Sequence, residues 1–374
     1  MDNTDIAIVG AGLAGSLSAG MLQKRDIDHK LIDPRLEYPD EFRCEKFNAQ
    51  QIAMLEETGL AEKVLQDLTP VKDVWMARFG RLLRKQTYPH FGFSYNEAVN
   101  SIRRHHLKPE NFVQNTVTSI ETSTGRQTLT MSDGSTLSAK LVVLATGANA
   151  NIQKQLGMTQ DMVSERHCLA IGFDLMPKND FDFDTMTFWP EANSGKMSYL
   201  TLFRTSGGWR ANLFGYWSLK ADEITELRSN PTQSLHNMMP SLAKIAGDFE
   251  VTGKLRVRPI NLYQWQADNI DGVVSIGDAW SSSCPGAGTG TTKAINDALQ
   301  LSQKHIPEWI SEPTIDAKLL SKFYNDAEKL AIDQYSINQA YKLRNVTLSN
   351  SPYWMAQRWM RFLYHGARGK LATG

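Results

Sequence analysis

The sequence has little cysteine and no excess of charge of either sign. Its 374 residues include three cysteines, Cys44, Cys168 and Cys284, an odd and scattered set that speaks against a disulfide framework. No Cys-x-x-Cys and no histidine cluster has metal-ligand spacing, so no metal is expected. The 40 Lys plus Arg balance 40 Asp plus Glu, and such neutrality argues against nucleic acid as a partner for the whole surface. No apolar run approaches the roughly 18 residues that cross a bilayer, and repeats and low-complexity linkers are missing. Met1 leads through polar residues straight into Ile6-Ala7-Ile8-Val9 with no basic leader, from which a cytoplasmic location is expected. The hydrophobic fraction of 41% excludes general disorder and leaves a globular chain of two or three structural units.

What is present begins with a complete strand, turn, helix and strand. Asp5 to Val9 reads as a short apolar strand, Gly10-Ala11-Gly12-Leu13-Ala14-Gly15 as the turn, Ser16 to Lys24 as the helix, and Lys30 to Asp33 as the second strand. Gly10 permits the tight turn, Gly12 lets a pyrophosphate approach the backbone, and Gly15 allows close helix packing, while the helix N-terminus faces the phosphate charge. Asp33 follows where a carboxylate accepts hydrogen bonds from a ribose. A glycine turn alone can be structural. The strand context together with Asp33 favours a dinucleotide.

Further along, Leu141 to Leu144 followed by Ala145-Thr146-Gly147 suits a buried parallel strand whose C-terminal end lines a ligand crevice, although an ordinary core strand explains the run equally well. His167 to Leu175, Lys196 to Arg204 and Trp209 to Trp217 are strand-like and separated by turns, which indicates a second, mostly antiparallel unit. Thr314 to Leu348 is helical, and Trp354 to His365 forms a last aromatic helix after the Ser351-Pro352 break.

The most specific segment is Val274-Ser275-Ile276-Gly277-Asp278-Ala279-Trp280-Ser281-Ser282-Ser283-Cys284-Pro285-Gly286-Ala287-Gly288-Thr289-Gly290, which runs into a helix through Asp297. With the N-terminal glycine turn, it resembles the FAD-dependent monooxygenases of the aromatic hydroxylase type, a superfamily shared with flavin halogenases and geranylgeranyl reductases. Gly277-Asp278-Ala279 is similar to the second flavin motif, whose Asp holds the ribityl chain, and Pro285, Gly290 and Asp297 keep the family's spacing. Arg43, followed by the helix Asn48 to Glu57, matches the arginine and helix placed beside the flavin.

The resemblance implies an α/β fold, a Rossmann-like FAD-binding domain of the glutathione-reductase type with an inserted, mostly antiparallel β substrate domain and a helical C-terminus. The expected division gives residues 1-70, 100-164 and 256-310 to FAD, 71-99 and 165-255 to substrate, and 311-374 to the helical end. FAD contacts are expected from Gly10, Gly12, Leu13, Ala14, Gly15, Asp33 and Arg35 at the first turn, and from Arg43, Val117, Thr146 and Gly147 along the crevice. Gly277, Asp278, Gly288, Thr289 and Gly290 complete the set. Noncovalent attachment is expected, since no His or Tyr is placed for a covalent link.

Departures from the family's pattern matter too. Ser281 behind Trp280 replaces the usual His, Cys284 replaces the first of two prolines, Thr292 replaces a frequent Asn, and Thr146-Gly147 stands where an Asp-Gly motif is linked to pyridine nucleotide use. Reduction by NAD(P)H is therefore left open, while dioxygen is the expected oxidant. Ser283 to Gly290, Arg43-Cys44-Glu45-Lys46 and Ile306-Pro307-Glu308-Trp309 resemble the LodB/GoxB-type flavoproteins that mature quinoprotein amino-acid oxidases. That resemblance implies oxygenation of a tryptophan side chain in a partner oxidase precursor, on the way to cysteine tryptophylquinone. The alternatives are a monooxygenase or reductase tailoring a small aromatic or prenyl metabolite, and a flavin-stabilised maturation chaperone.

For catalysis the candidates are Cys284, Pro285 and Trp280. Pro285 and its small neighbours let backbone pass close to the ring, and the helix starting near Gly290 aims its amides at charge arising on flavin reduction. Cys284 is either a redox-active thiol or a small buried filler, and Trp280 either borders substrate or packs in the core. His167 is a candidate acid or base, with a structural role as the alternative. Trp209, Leu213 and Trp217 share one strand face and are expected in the core. From Gln334 to Gly374 no acid occurs, while Lys342, Arg344, Arg358, Arg361, Arg368 and Lys370 alternate with Tyr353, Trp354, Trp359, Phe362 and Tyr364. This tail suits an acidic protein or anionic lipid, or else packs its aromatic side on the flavin domain with the arginines solvated.

Overall fold

The computed structural model describes residues 2–43, 45–191, 196–266 and 270–371. Cys44 lies outside them. The fold is α/β, built on two sheets. The first has seven strands. Asp2–Val9 lies at its centre, parallel to His29–Ile32 on one side and to Thr136–Leu144 on the other, with Ile6 opposite Leu141 and Val9 opposite Leu144. Val273–Ser275 joins Thr136–Leu144 in parallel, beside the antiparallel pair Val117–Glu121 and Gln127–Met131. Ile6, Ile8, Leu141, Val143 and Val274 are wholly buried, as continuous apolar strands must be when both faces of a parallel sheet are covered.

The second sheet has eight strands, and all its neighbours are antiparallel except Thr185–Trp189 beside Thr69–Arg78. Side chains alternate across it. On one face Leu169, Ile171, Trp209, Leu213 and Trp217 pack under the helices Asp222–Ser229, Pro231–Met238 and Leu242–Ala246. Trp209, Leu213 and Trp217 thus occupy the core, as their alternation suggests. On the other face Cys168, Ala170 and Phe214 meet Cys284 and Ala340. Strand alternation therefore turns this second face toward the Cys284 loop.

Helices Gly290–Leu299 and Ala327–Leu348 are tied by three buried charges, Lys293, Asp297 and Lys329, and the half-buried Asp333. Asp297 accepts from Lys329 at 2.8 Å, Lys293 reaches Asp333 at 2.8 Å, and Lys329 reaches Asp333 at 3.2 Å. The second Asp297 oxygen accepts the Gly277 amide at 2.8 Å. Alternating signs offset the desolvation that each charge would suffer alone. Lys293 is accordingly held above, and Asp333 below, its ordinary pKa, because the opposed charges outweigh burial.

The last helix, Pro352–Leu371, is 20 residues long rather than the 12 of the expected aromatic helix. Its orientation also departs from expectation. Arg358 is 3% exposed and donates to the carbonyls of Val346 and Ser349 at 2.8 and 2.9 Å, so it is not solvated. Instead Tyr353, Trp359, Met360 and Leu363 are exposed. The Arg358 guanidinium satisfies carbonyls at the end of the preceding helix, and that need turns this arginine inward.

Lys329→Ala should leave Asp297 and Asp333 incompletely paired and cost about 3–5 kcal/mol in urea unfolding. The exposed Lys342→Ala should stay within about 0.5 kcal/mol of the parent.

Candidate functional site

The site forms where three turns meet. After Asp2–Val9 the chain reverses through Gly10, whose φ is +98° and where a Cβ would lie 2.6 Å from the Ala145 carbonyl oxygen. A Cβ on Gly15 would lie 2.0 Å from the Gly10 carbonyl oxygen, so the helix Leu13–Lys24 packs directly on the turn. This helix starts three residues earlier than the sequence suggests. Gly12 precedes it with no side-chain cap, and no acid stands in its first turn, which leaves the positive helix end available to an anion.

Asp33 lies just after His29–Ile32 and is 3% exposed. It accepts from the Ala11 amide at 3.0 Å and from Arg35 Nε at 3.0 Å. Burial opposes its charge, yet the hydrogen bonds from Arg35 and Ala11 prevail and hold its carboxyl below the ordinary range. Two supports escaped sequence reasoning. Arg103, on Tyr95–His106, donates to the carbonyls of Arg35, Leu36 and Ala11, while Tyr95 Oη accepts from the Leu13 amide at 2.9 Å. Nothing in the spacing of Arg103 or Tyr95 marks either, because both act across the fold.

The second turn carries Gly277-Asp278. Gly277 has φ +59°, and a Cβ there would come 3.4 Å from that of Ala14, so the two glycine motifs lie side by side. Arg43 Nη1 is 3.7 Å from Asp278 and its Nε donates to Glu41 at 2.6 Å. Burial works against the Arg43 charge, but the Glu41 hydrogen bond outweighs it and raises the guanidinium pKa. Gly147 has φ +63°, and a Cβ there would lie 3.8 Å from Arg43. Thr146, next to it, donates to the Asn149 carbonyl at 3.0 Å. Val117 packs its side chain in the core with Leu129, Met131, Val9 and Ile32, the last two leading into the first turn and Asp33.

The third turn runs from Cys284 to Gly290. Pro285–Ala287 forms a single 3-10 turn, and Gly288 has φ +70° with open space where a side chain would project. Thr289 precedes the helix Gly290–Leu299 without capping it, its hydroxyl lying 2.7 Å from that of Ser336. Gln51 reaches this turn from the helix Ala49–Glu57, 3.3 Å from Thr292 Oγ1. Tyr199 Oη donates to the Gly286 carbonyl at 2.6 Å, which joins the second sheet to the turn. Cys284 is fully buried with its sulfur 3.3 Å from that of Cys168. Trp280 stacks on Tyr324 at 4.0 Å between ring centroids and packs with Met158 and Trp265. Its ring is engaged in core packing.

An open cavity of about 340 Å³ adjoins Arg43, lined by Glu41, Phe42, Arg43, Arg256, Val257 and Arg258. Phe42 rests on Gly172, where a Cβ would overlap its ring. A larger depression of about 580 Å³ around Trp75 and Lys85 shares no lining residue with the glycine turns. His167 is fully buried, with Nε2 3.3 Å from the Ala340 carbonyl and Nδ1 3.2 Å from Ser164 Oγ, a structural placement.

Adjacent glycine turns, two helix N-termini free of acid, a buried carboxylate after the second strand and a second carboxylate across the crevice define a binder of an extended dinucleotide. The chain belongs to the FAD binding domain family, whose model matches residues 3–307. Its cofactor is FAD, and it is an FAD-dependent enzyme. No curated protein matches by sequence. Among solved structures, p-nitrophenol 4-monooxygenase PnpA from Pseudomonas putida has a TM-score of 0.79 at 17% identity, over 99% of this chain and 96% of its own. HpxO from Klebsiella pneumoniae, complexed with FAD, has a TM-score of 0.73 at 16% identity, over 96% and 94%. The flavin-dependent brominase Bmp2 has a TM-score of 0.68 at 15% identity, over 97% and 94%.

Burial lowers the His167 pKa from 6.5 to about 4. The unfolded chain takes up this proton near the ordinary value and the folded chain does not, so the contribution to stability is full above that value and lost as pH falls toward 4. His167→Gln should therefore show a shallower decline of melting temperature between pH 6.5 and about 4 than the parent.

Proposed function

We propose that this enzyme is an FAD-dependent monooxygenase that oxygenates a tryptophan side chain of a partner oxidase precursor, in the biogenesis of cysteine tryptophylquinone. The observation that carries the monooxygenase reading is the Gly277-Asp278 turn set against the first glycine turn, with the uncapped Gly290–Leu299 helix beside it. In this reading Gly10, Gly12, Leu13, Ala14, Gly15, Asp33 and Arg35 hold the ADP portion of FAD. Arg43, Thr146, Gly147 and Asp278 hold its middle. Bound there, FAD supplies two-electron transfer and, when reduced, activation of dioxygen for transfer to an electron-rich ring.

The amides that open the Gly290–Leu299 helix hydrogen-bond negative charge at the reacting end, and the helix dipole adds roughly 0.3–2 kcal/mol to that stabilisation. Gly288 keeps side chains out of the approach, while Phe42 and Cys284 keep water from the apolar side. Support for a macromolecular substrate comes from the Ser283 to Gly290 motif and from the open cavity at Arg43, which a side chain presented on a partner's surface can enter. Of the tail cations that suit an acidic partner, Arg358 is turned inward and bonded to backbone carbonyls.

Heat or acid should release FAD, and Asp278→Ala should weaken its retention by about tenfold or more, the equivalent of a charge-assisted hydrogen bond of roughly 1.5–3 kcal/mol. Co-expression with a quinoprotein precursor should add oxygen to the precursor's mass, whereas equally efficient oxidation of free small indoles would favour metabolite tailoring instead. With Thr146 in place of an acid, reduction by free NADPH should be slow in stopped-flow measurements. Fast, saturable reduction at micromolar NADPH would show that the acid is dispensable.

A further inference from the structure

The terminal helix Pro352–Leu371 turns Arg358 and Phe362 toward the protein and leaves an apolar face in solvent, the reverse of the usual arrangement for a surface helix. Toward the protein it turns Arg358, which is buried, and Phe362, whose ring lies 5.5 Å from that of Phe79. Toward solvent it presents Tyr353, Met360 and Leu363, which are 62%, 52% and 64% exposed, with Ala356 between them. These positions recur at three- and four-residue intervals and form one continuous stripe. Trp359, 56% exposed, borders it. Between Tyr353 and Leu363 no charged residue falls on the stripe. An apolar face of this length marks an interaction surface.

The helix is docked on the hairpin formed by Thr69–Arg78 and Arg81–Gly92. At its turn Phe79 adopts φ +50°, a conformation unfavourable for a bulky residue, and its ring packs against Trp359 and Phe362 at 5.4 and 5.5 Å. That packing stabilises both the turn and the helix. Arg81 on the hairpin and Lys342 on the neighbouring helix are exposed. Residues 74–96 contain four Lys or Arg and no acid, and residues 335–374 contain six and no acid. In a chain whose charges cancel overall, these two segments hold ten cations without an acid, Arg78 and Arg358 among them being buried. Glu191 approaches the turn at Gly80, and Asp73 and Asp182 line the depression beside Arg84 and Lys85 on the hairpin.

We propose that this face seats the protein on an anionic lipid bilayer, with the Tyr353, Met360 and Leu363 stripe in the headgroup boundary and Arg81 and Lys342 on the headgroup charges. A long helix lying in the plane of the membrane, apolar on one side and flanked by cations, fits such a surface. Among the described residues no helix is long and apolar enough to cross a membrane, so the association is peripheral. A bilayer supplies in one plane both the apolar environment that the stripe needs and the anions that the flanking cations need. This inference does not depend on which aromatic group the enzyme oxygenates.

The test is cosedimentation of the FAD-loaded protein with vesicles of phosphatidylcholine alone, and of phosphatidylcholine and phosphatidylserine in equal parts. The wild type should sediment with the mixed vesicles and stay in solution with the neutral ones. Binding should weaken as the Debye length falls from about 10 Å to about 3 Å between 0.1 and 1 M salt. Met360→Glu combined with Leu363→Glu should reduce binding at least about tenfold, with melting temperature and FAD content unchanged because both side chains are exposed. Arg81→Gln with Lys342→Gln should reduce it in the mixed vesicles. Failure to sediment, equal sedimentation with both vesicle types, or unaltered binding by the Glu variants would overturn the proposal. A concentration-dependent dimer that the Glu variants abolish would overturn it as well and assign the stripe to a second copy of the chain.

Discussion

The alternating charges of Lys293, Asp297, Lys329 and Asp333 are the constraint around which the site is organised. Three buried ionised groups and the half-buried Asp333 are tolerated because each faces an opposite charge, and the other Asp297 oxygen accepts from the Gly277 amide. That single carboxylate therefore connects two helices to the turn that presents Asp278. Apolar packing holds helices together without registering them to a hydrogen-bonding group; an ion network with fixed geometry does register them.

A second constraint is the absence of side chains. Gly10 and Gly15 are required by contacts of 2.6 and 2.0 Å that any Cβ would make with backbone, so the first strand, its helix and the strand ending at Ala145 close on one another. Ala14 then touches the position of Gly277, and the two glycine turns share one crevice. The crevice is lined by amides and a few charges, which suits phosphate and ribose better than an apolar ligand. Arg103 and Tyr95 complete it by binding backbone groups that the turns leave unpaired.

The second sheet contributes through its pleat. Residues at even positions near Cys168 and Ala170 face the Cys284 turn, whereas Leu169 and Ile171 enter a separate core beneath three short helices. One strand thereby supplies both a structural core and a wall of the site, and Tyr199 anchors that wall to the turn through the Gly286 carbonyl.

Much of this was legible in the chain. The glycine spacing, Asp33, the apolar strands and the Gly277-Asp278 motif are local patterns, and local patterns report backbone geometry because steric and hydrogen-bonding rules act over a few residues. Trp209, Leu213 and Trp217 were equally legible, since alternation sets which face they share. Other features depend on partners distant in sequence. Arg103 meets a turn about 90 residues away in the chain, Lys329 pairs with Asp297 across 32 residues, and Trp280 stacks on Tyr324 rather than facing the crevice. The terminal helix shows the difference most plainly: its sequence determined that it is basic, aromatic and free of acid, but both of its faces suit either solvent or protein by composition. Which face turns inward was decided by the tertiary structure, where the carbonyls of Val346 and Ser349 lacked donors and Arg358 was within reach to supply them.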